Sequence, residues 1–336
     1  MPAGINTIIL SVMSSKKLSL NGKVVSAPLA NIAGSAYRTM ALRYGSAIAY
    51  SEMISVDGLV RGNRKTLDML RLRKEERPVC FQIFGHDPAM IYDAARIVAG
   101  TGCDMIDINF GCPAKKIIRN FSGAALMNDL KLAERLISAV VDAVDIPVSV
   151  KFRSGWDRES MTFIEFGKMA EACGASYLVL HPRTRASGFR GKSDWSKLKL
   201  LKENVNIDVI GSGDINTPKD AKDMLEQTNS DYVMVGRAAM GAPWIFRRID
   251  YYLRTGDDPG EPSLDKMVEI MLEFCRLMID DFGERSACLK LRKHLAWFTR
   301  GWHNVTKIRP LMFSVEKYDD IENILYNYLR GLEKVA

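Results

Sequence analysis

Short apolar runs recur along the first 236 residues, and each is followed by a stretch in which apolar residues recur with helical spacing. The runs are continuous rather than alternating, which is typical of strands buried on both faces, as in a parallel sheet. There are eight, at 24–30, 46–52, 78–84, 104–109, 147–153, 176–181, 207–213 and 231–236. Eight strand–helix units over roughly 240 residues predict a TIM (β/α)8 barrel, an α/β fold. A doubly wound open sheet is the alternative, but it usually has fewer strands.

Two of the helical stretches open with residues that favour a helix start. Asp87 precedes Pro88 after the third run, and Thr217 precedes Pro218 after the seventh. A side chain that accepts a hydrogen bond at the N-cap, followed by proline, is a typical N-terminal signal. We therefore expect helices to begin at these two prolines.

The pattern changes after Ile249. A segment rich in Gly, Pro and Asp follows, which is typical of a linker, and only helical periodicity appears after it. We therefore predict four segments: a disordered leader at 1–17, the barrel at 18–253, a linker at 254–263 and a small all-helical domain at 264–336.

Composition adds a hint about partners. Of the 336 residues, 47% are apolar and 26% charged, which indicates a globular chain, and the net charge of +7 mildly favours a polyanionic partner. Between residues 285 and 309 there are seven Lys or Arg and no Asp or Glu, with Trp297, Phe298 and Trp302 interleaved. This run is either a helix with a solvated basic face or a surface for RNA phosphates.

Several classes of protein are disfavoured. None of the six cysteines forms a C-x-x-C pair, so we expect neither a disulfide framework nor a metal site. No run approaches 18 apolar residues, and the apolar N-terminal stretch lacks a basic start, so we expect no membrane span and no secretory signal. The chain is predicted to be cytoplasmic.

The ends of the predicted strands hold the candidate chemistry, because TIM barrels place their active sites there. Small residues at the seventh and eighth ends suit a phosphate, and the absence of Walker A and G-x-G-x-x-G motifs favours flavin mononucleotide or a phosphosugar. Lys151 suits either the charge of a reduced flavin or a Schiff base. The residues at these ends are Pro28, Leu29, Ala30, Gln82, Asn109, Lys151, His181, Ser212, Gly213, Asp214, Gly236 and Arg237.

One segment, DINFGCPAKKIIRNFSG at 107–123, sets a single thiol at a strand end. Cys112 stands between a glycine and a proline, and Lys115, Lys116 and Arg119 follow it. A thiol beside positive charge first suggests an activated thiolate. A buried structural thiol is the other interpretation.

Several motifs together resemble the dihydrouridine synthase family, and its bacterial B-type branch in particular. They are APLANIAGSAYR, FQIFG, DINFGCPAKKI, VKFRSGW, LHPRTR, GSGDI and GRAAMGAPW, in order from Val24 to Arg248. The segment KLRKHLAWF in the predicted helical domain is a weaker match. The resemblance implies a flavin-binding TIM barrel with a helical RNA-recognition domain. It also implies FMN-dependent reduction of uridine in tRNA to 5,6-dihydrouridine, with NADPH as reductant.

The resemblance also implies roles for individual residues. Pro28, Leu29, Ala30, Gln82, Lys151, His181, Ser212, Gly213, Asp214, Gly236 and Arg237 fall on flavin-contact positions. Asn109 falls on a uracil-contact position, and Cys112 falls on the acid that protonates uracil C5 after hydride reaches C6. That role requires a thiol that stays protonated at neutral pH. The residues expected to contact RNA are Lys115, Arg119, Arg153, Arg183, Arg185, Lys290, Arg292 and Lys293.

The chain departs from the family pattern at two places. The family usually has AGxTD where this chain has ANIAG at 30–34, and NGD where it has SGD at 212–214. Three alternatives stay open: a flavin TIM-barrel oxidoreductase acting on a small molecule, the same chemistry on an RNA other than tRNA, and a non-catalytic RNA-binding protein. We expect a monomer.

Overall fold

The computed structural model describes residues 16–333, in which eight parallel strands form one sheet that curls into a barrel. From β2 to β8 each strand pairs with the next one in chain order, and β8 pairs with β1. Two backbone hydrogen bonds join β1 to the start of β2, Ala47 N to Val24 O at 2.8 Å and Ser26 N to Ile48 O at 3.2 Å. The strands are β1 (Val24–Ser26), β2 (Ala49–Ser55), β3 (Val79–Phe84), β4 (Met105–Phe110), β5 (Val148–Arg153), β6 (Tyr177–His181), β7 (Asp208–Ser212) and β8 (Tyr232–Val235). The predicted TIM barrel is confirmed.

Helices follow the strands and cover the barrel. They are α1 (Ser35–Arg43), α2 (Val56–Val60), α3 (Arg64–Asp68), α4 (Pro88–Ala99), α5 (Lys115–Arg119), α6 (Leu130–Ala143), α7 (Phe163–Ala172), α8 (Ser196–Lys202), α9 (Pro218–Thr228) and α10 (Ile245–Thr255). Short 3-10 turns lie at Gly123–Asn128 and Arg237–Ala239. Both predicted helix starts are confirmed: Asp87 accepts the Met90 N–H at 2.9 Å, and Thr217 forms a capping box with Asp220.

The interior of the barrel changes from apolar to polar along its axis. The part towards the amino ends of the strands is filled by an apolar cluster that includes Val25, Tyr50, Met105, Tyr177 and Ile210. Towards the carboxyl ends of the strands the buried side chains become polar, and Gln82, Asp107 and Ser149 are 0% exposed. Buried polar groups need hydrogen-bond partners, so a ligand site is expected at this end of the barrel.

Only helices are found after residue 263 in the described part of the chain, which agrees with the predicted C-terminal helical region. They are α11 (Leu264–Phe282), α12 (Glu284–Phe298), α13 (Val305–Phe313) and α14 (Tyr318–Glu333). α11 packs on the barrel, where Asp281 pairs with Arg73 at 2.7 Å. No helix within residues 16–333 is long and apolar enough to cross a membrane.

The predicted leader lies mostly outside the described residues. Its last two residues are described, and both contact the barrel. The Lys16 ammonium donates to Val144 O at 2.7 Å, and Lys17 pairs with Asp208 at 2.8 Å.

Candidate active site

A cavity of about 510 Å³ opens at the carboxyl ends of the strands. Its size falls within the roughly 300–1,000 Å³ of pockets that hold small ligands and cofactors. Of the predicted site residues, it is lined by Pro28, Leu29, Ala30, Asn109, Cys112, Lys151, Arg153, His181, Ser212, Gly213, Asp214, Gly236 and Arg237. The fold therefore brings together residues from six strand ends that are far apart in sequence.

Lys151 presents an ammonium group in this cavity. Among residues 16–333 the ammonium has no side-chain hydrogen-bond partner. Burial lowers its pKa below that of an ordinary lysine, and the neighbouring Asp107 carboxylate partly offsets the effect. An unpartnered cation in a largely buried position needs an anionic or strongly accepting ligand group. The reduced isoalloxazine ring of a flavin, which carries negative charge, supplies such a group.

His181 offers the cavity a neutral donor. Burial lowers its pKa well below the ordinary value, and the cations Lys151 and Arg153 lower it further. Its Nδ1 accepts the Arg183 N–H at 3.4 Å, which assigns the proton of the neutral ring to Nε2. His181 can therefore donate one hydrogen bond without adding charge.

Asp214 joins two guanidinium groups at the side of the cavity formed by β7 and β8. Arg183 donates to both of its oxygens, at 3.0 and 2.7 Å, and Arg237 donates at 3.3 Å. Burial opposes ionisation of Asp214, but the hydrogen bonds from Arg183 and Ser193 outweigh it and lower the pKa. The cluster keeps a net positive charge, which suits a phosphate.

Gly213 provides close backbone approach in the same region. Its φ is +116°, and a Cβ there would collide with the Ser193 hydroxyl oxygen. Only glycine therefore fits this turn without strain. With the unpartnered Lys151, the neutral donor on His181 and the basic end at Arg237, the residues of the cavity fit a flavin cofactor.

Cys112 lies on the opposite side of the cavity, in the loop after β4. Asn109 holds this loop, because its Oδ1 accepts the N–H groups of Gly111 at 3.1 Å and of Cys112 at 2.9 Å. Burial raises the pKa of the Cys112 thiol, and the Ala114 N–H and the Arg153 charge offset this only in part. The thiol is therefore protonated at neutral pH, despite the cation beside it.

Gln82 does not line the cavity. It is 0% exposed, and its amide is engaged on both sides: Nε2 donates to Asp107 at 2.6 Å, and Oε1 accepts from Asn109 Nδ2 at 2.8 Å. Its direct contact with a flavin stays a prediction, and in this structure it supports Asn109.

The first loop, residues 27–34, is held by side chains from other elements. Asn31 has φ +60°, a left-handed conformation that Asn and Gly tolerate, which explains why Asn can replace the usual glycine. Its N–H donates to Glu52, and its carbonyl accepts from Lys293 at 2.7 Å. A Cβ on Gly34 would lie 3.8 Å from a Glu52 oxygen, so the aspartate usual at this position would bring two carboxylates together.

The residues predicted to contact RNA range from exposed to buried. Lys115, Arg119 and Lys290 are exposed, and Arg185 lies 4.3 Å from the centre of the Trp156 ring. Arg292 is partly buried and donates to Val315 O at 3.1 Å. The structure leaves the exposed side chains accessible to a large partner.

Arg153 and Arg183 are only 4% and 5% exposed. Arg153 donates to the carbonyls of Gly111, Thr184 and Gly188 at 2.8–3.0 Å. These bonds tie the Cys112 loop to the loop after β6. Contact with RNA stays a prediction for both arginines. In this structure Arg153 lines the cavity, and Arg183 holds the cavity residue Asp214.

Three residues at the site were not predicted from the sequence. Asp107 and Glu52 were detectable, since each is a charged residue within an apolar run. Nothing in the sequence around Phe189 indicated a role at the site. It is 58% exposed at the rim of the cavity, and the guanidinium groups of Arg153 and Arg237 lie 5.5 and 5.2 Å from its ring centre.

No cluster of three or more His, Cys, Asp or Glu able to hold a metal ion occurs in the described range 16–333. All six cysteines are free thiols, of which Cys80, Cys103, Cys275 and Cys288 are buried.

Solved structures with a similar fold include a reductase and a dehydrogenase. A mutant morphinone reductase in complex with tetrahydroNAD matches 75% of this chain and 92% of its own, with a TM-score of 0.50 and 13% identity. Histamine dehydrogenase from Rhizobium sp. 4-9 matches 78% of this chain with a TM-score of 0.53 and 14% identity. The present chain spans about half the length of that dehydrogenase. At such identities these likenesses show the fold alone.

Sequence comparison identifies the family. The family model described as dihydrouridine synthase matches residues 25–330. A protein named tRNA-dihydrouridine synthase B from Shewanella oneidensis is 38% identical over 83% of this chain and 87% of its own, and its namesake from Vibrio vulnificus is 37% identical over 88% and 92%. A probable tRNA-dihydrouridine synthase from Rickettsia bellii is 36% identical over 87% and 90%. This chain therefore belongs to the dihydrouridine synthase family and is of its B type.

Proposed function

We propose that this protein reduces specific uridines in tRNA to 5,6-dihydrouridine, with FMN as its cofactor and NADPH as the reductant. The observation that carries the proposal is one cavity that is lined by both an unpartnered cation, Lys151, and a protonated thiol, Cys112. The names of the relatives support tRNA as the substrate. The expected monomeric state and cytoplasmic location stay predictions.

FMN, when bound and reduced, supplies a hydride for C6 of the uracil ring. Lys151 and His181 hold and orient the ring system from the β5 and β6 ends, Lys151 by charge and His181 by its Nε2–H. Ser212, Gly213, Gly236 and Arg237 hold the phosphate end. These residues surround the cavity on one side and leave the other to the substrate.

Cys112 acts as a general acid on the substrate side. Its Sγ–H would deliver a proton to C5 of uracil, which leaves Cys112 as a thiolate. A nearby cation normally promotes thiolate formation, but here burial has the larger effect and raises the pKa. Arg153 contributes mainly through its hydrogen bond to Gly111 O at 2.8 Å, which positions the loop that carries Cys112.

The tRNA approaches across the mouth of the barrel and the helical region. The target nucleotide must leave its stack to enter the cavity. Lys115 and Arg119 on α5 and Lys290 on α12 are exposed cations on this route, and the exposed Phe121 and Phe189 offer faces for unstacked bases. Aromatic faces beside cations are typical of surfaces that bind single-stranded RNA.

The proposal is tested with purified protein, bulk tRNA from a strain that lacks dihydrouridine, and NADPH. We expect bound flavin, NADPH-dependent dihydrouridine in the tRNA, and a Cys112→Ala variant that keeps flavin and tRNA binding but loses dihydrouridine formation by at least about a hundredfold. NADPH oxidation without dihydrouridine in any RNA would instead favour an oxidoreductase for small molecules. A preparation without flavin would favour a non-catalytic RNA-binding protein.

A further inference from the structure

Asp107 is a buried carboxylate in the barrel to which the proposed mechanism gives no role. It lies on β4, two residues before Asn109, and is 0% exposed. Its Oδ1 accepts from the Ser149 hydroxyl at 2.5 Å, and its Oδ2 accepts from Gln82 Nε2 at 2.6 Å. TIM-barrel interiors are usually filled by branched apolar side chains, and burying a carboxylate is costly. Burial accordingly raises the pKa of Asp107, and the nearby Lys151 opposes this rise.

The hydrogen bonds of Asp107 fix the direction of two amide groups. Oδ2 of Asp107 accepts when the carboxyl group is ionised, and it still accepts when a proton lies on Oδ1 on the Ser149 side. Gln82 therefore turns its NH2 towards Asp107 and its carbonyl towards Asn109. Asn109 must then turn its NH2 towards Gln82, at 2.8 Å, and its Oδ1 towards the N–H groups of Gly111 and Cys112. One acceptor thus determines the orientation of every later group in this chain of bonds, which we call the Asp107 relay (Asp107, Gln82, Asn109).

We propose that Asp107 is a positioning residue: through Gln82 it orients the Asn109 amide, which caps the Cys112 loop and keeps one N–H of Asn109 as a donor in the cavity. Asn109 lines the cavity, and only one of its two Nδ2 hydrogens is used by Gln82. A donor at this point suits a carbonyl oxygen of uracil and rejects the amino group of cytosine. That last step rests on the proposed function, whereas the capping of the Cys112 loop does not.

Asp107→Leu tests the relay by removing the acceptor at similar size. The readout is the rate of alkylation of Cys112 by iodoacetamide, measured by peptide mapping and divided by the rate at Cys173 in the same sample. Cys173 is partly exposed and lies outside the cavity, so general loosening of the protein raises both rates together. Because the Gly111 and Cys112 N–H groups lose a fixed acceptor, we expect the ratio to rise at least about tenfold.

Two further variants separate positioning from packing. Asp107→Asn can still present an oxygen to Gln82, because the Ser149 hydroxyl can turn to accept from the new NH2, so the ratio should stay within about twofold of the wild-type value. Gln82→Met removes the middle of the relay and should raise the ratio as much as Asp107→Leu does. Combining the two should add nothing more, since both act through the same bonds.

Tyr50→Phe is the matched control. It removes a different buried polar group from the barrel interior, a hydroxyl whose hydrogen-bond partners are Ser149 Oγ at 3.4 Å and Met105 Sδ rather than Gln82 or Asn109, so the ratio should not change. Additive effects of Asp107→Leu and Gln82→Met, or an unchanged ratio in Gln82→Met, would overturn the proposal. The second result remains decisive if Asp107→Leu does not fold. Failure to form dihydrouridine in the wild type would instead contradict the proposed function and leave the thiol measurement intact.

Discussion

Burial acts in opposite directions on the pKa values of two groups that line the cavity, Lys151 and Cys112. It lowers the pKa of the Lys151 ammonium and raises that of the Cys112 thiol, because it disfavours the charged form of each. The three cations that follow Cys112 in the chain first suggest an activated thiolate, whereas the family resemblance implies a thiol that stays protonated. In the structure Lys115 and Arg119 face solvent, and burial outweighs the one buried cation, Arg153, that affects the thiol.

This balance predicts how the protonation step depends on pH. A general acid must carry its proton, so activity persists below the pKa of Cys112 and is lost as the pH rises through it. Because burial raises that pKa, we expect dihydrouridine formation from pre-reduced enzyme to hold to above about pH 8.5, the ordinary value for cysteine. The measurement is a single-turnover rate at each pH, with the rate of flavin reduction by NADPH as the control. A decline of the single-turnover rate alone near pH 7 would rule out a protonated thiol.

At the scale of elements, the strands were predictable because each is a continuous apolar run whose end meets a turn. All eight predicted runs overlap their strands. Six agree to within one residue at each end, whereas β1 ends four residues earlier than predicted and β2 lies three residues later. The first strand is shorter than its run because Pro28 has no N–H for a ladder bond. The first loop could not be predicted, since its partners Glu52 and Lys293 lie 21 and 262 residues away in the chain.

The backbone of Asn31 makes this loop sensitive to substitution. Asn31→Ala places an ordinary side chain at φ +60°, which costs about 1 kcal/mol, whereas Asn31→Gly does not. We expect Asn31→Ala to lower the melting temperature by about 2 °C and to weaken FMN binding, because residues 28–30 precede it in the same loop. Thermal unfolding and flavin fluorescence titration measure both effects. Equal behaviour of the two variants would contradict a backbone origin.

Across the whole molecule, the helical region contacts the barrel at the loop that borders the cavity. Asp281 on α11 accepts the Ala36 N–H at 3.2 Å at the start of α1, where Gly34 provides no side-chain cap. Lys293 on α12 donates to Asn31 O. The sequence indicated the basic charge of α12 but not which of its lysines contacts the barrel. Only the packing shows that Lys293 bonds to the first loop while Lys290 is exposed to solvent.

Lys290 and Lys293 therefore form a matched pair with different expected effects. Lys293→Met removes a hydrogen bond to the first loop, and we expect FMN to bind about threefold more weakly. Lys290→Met should leave FMN affinity unchanged and weaken tRNA binding, with the slope of log K against log salt reduced by about 1, as for the loss of one phosphate contact. Flavin fluorescence titration and tRNA filter binding at several salt concentrations give the four values. If both variants weaken only tRNA binding, α12 is a uniform RNA surface and the contact between Lys293 and Asn31 does not support the cofactor site.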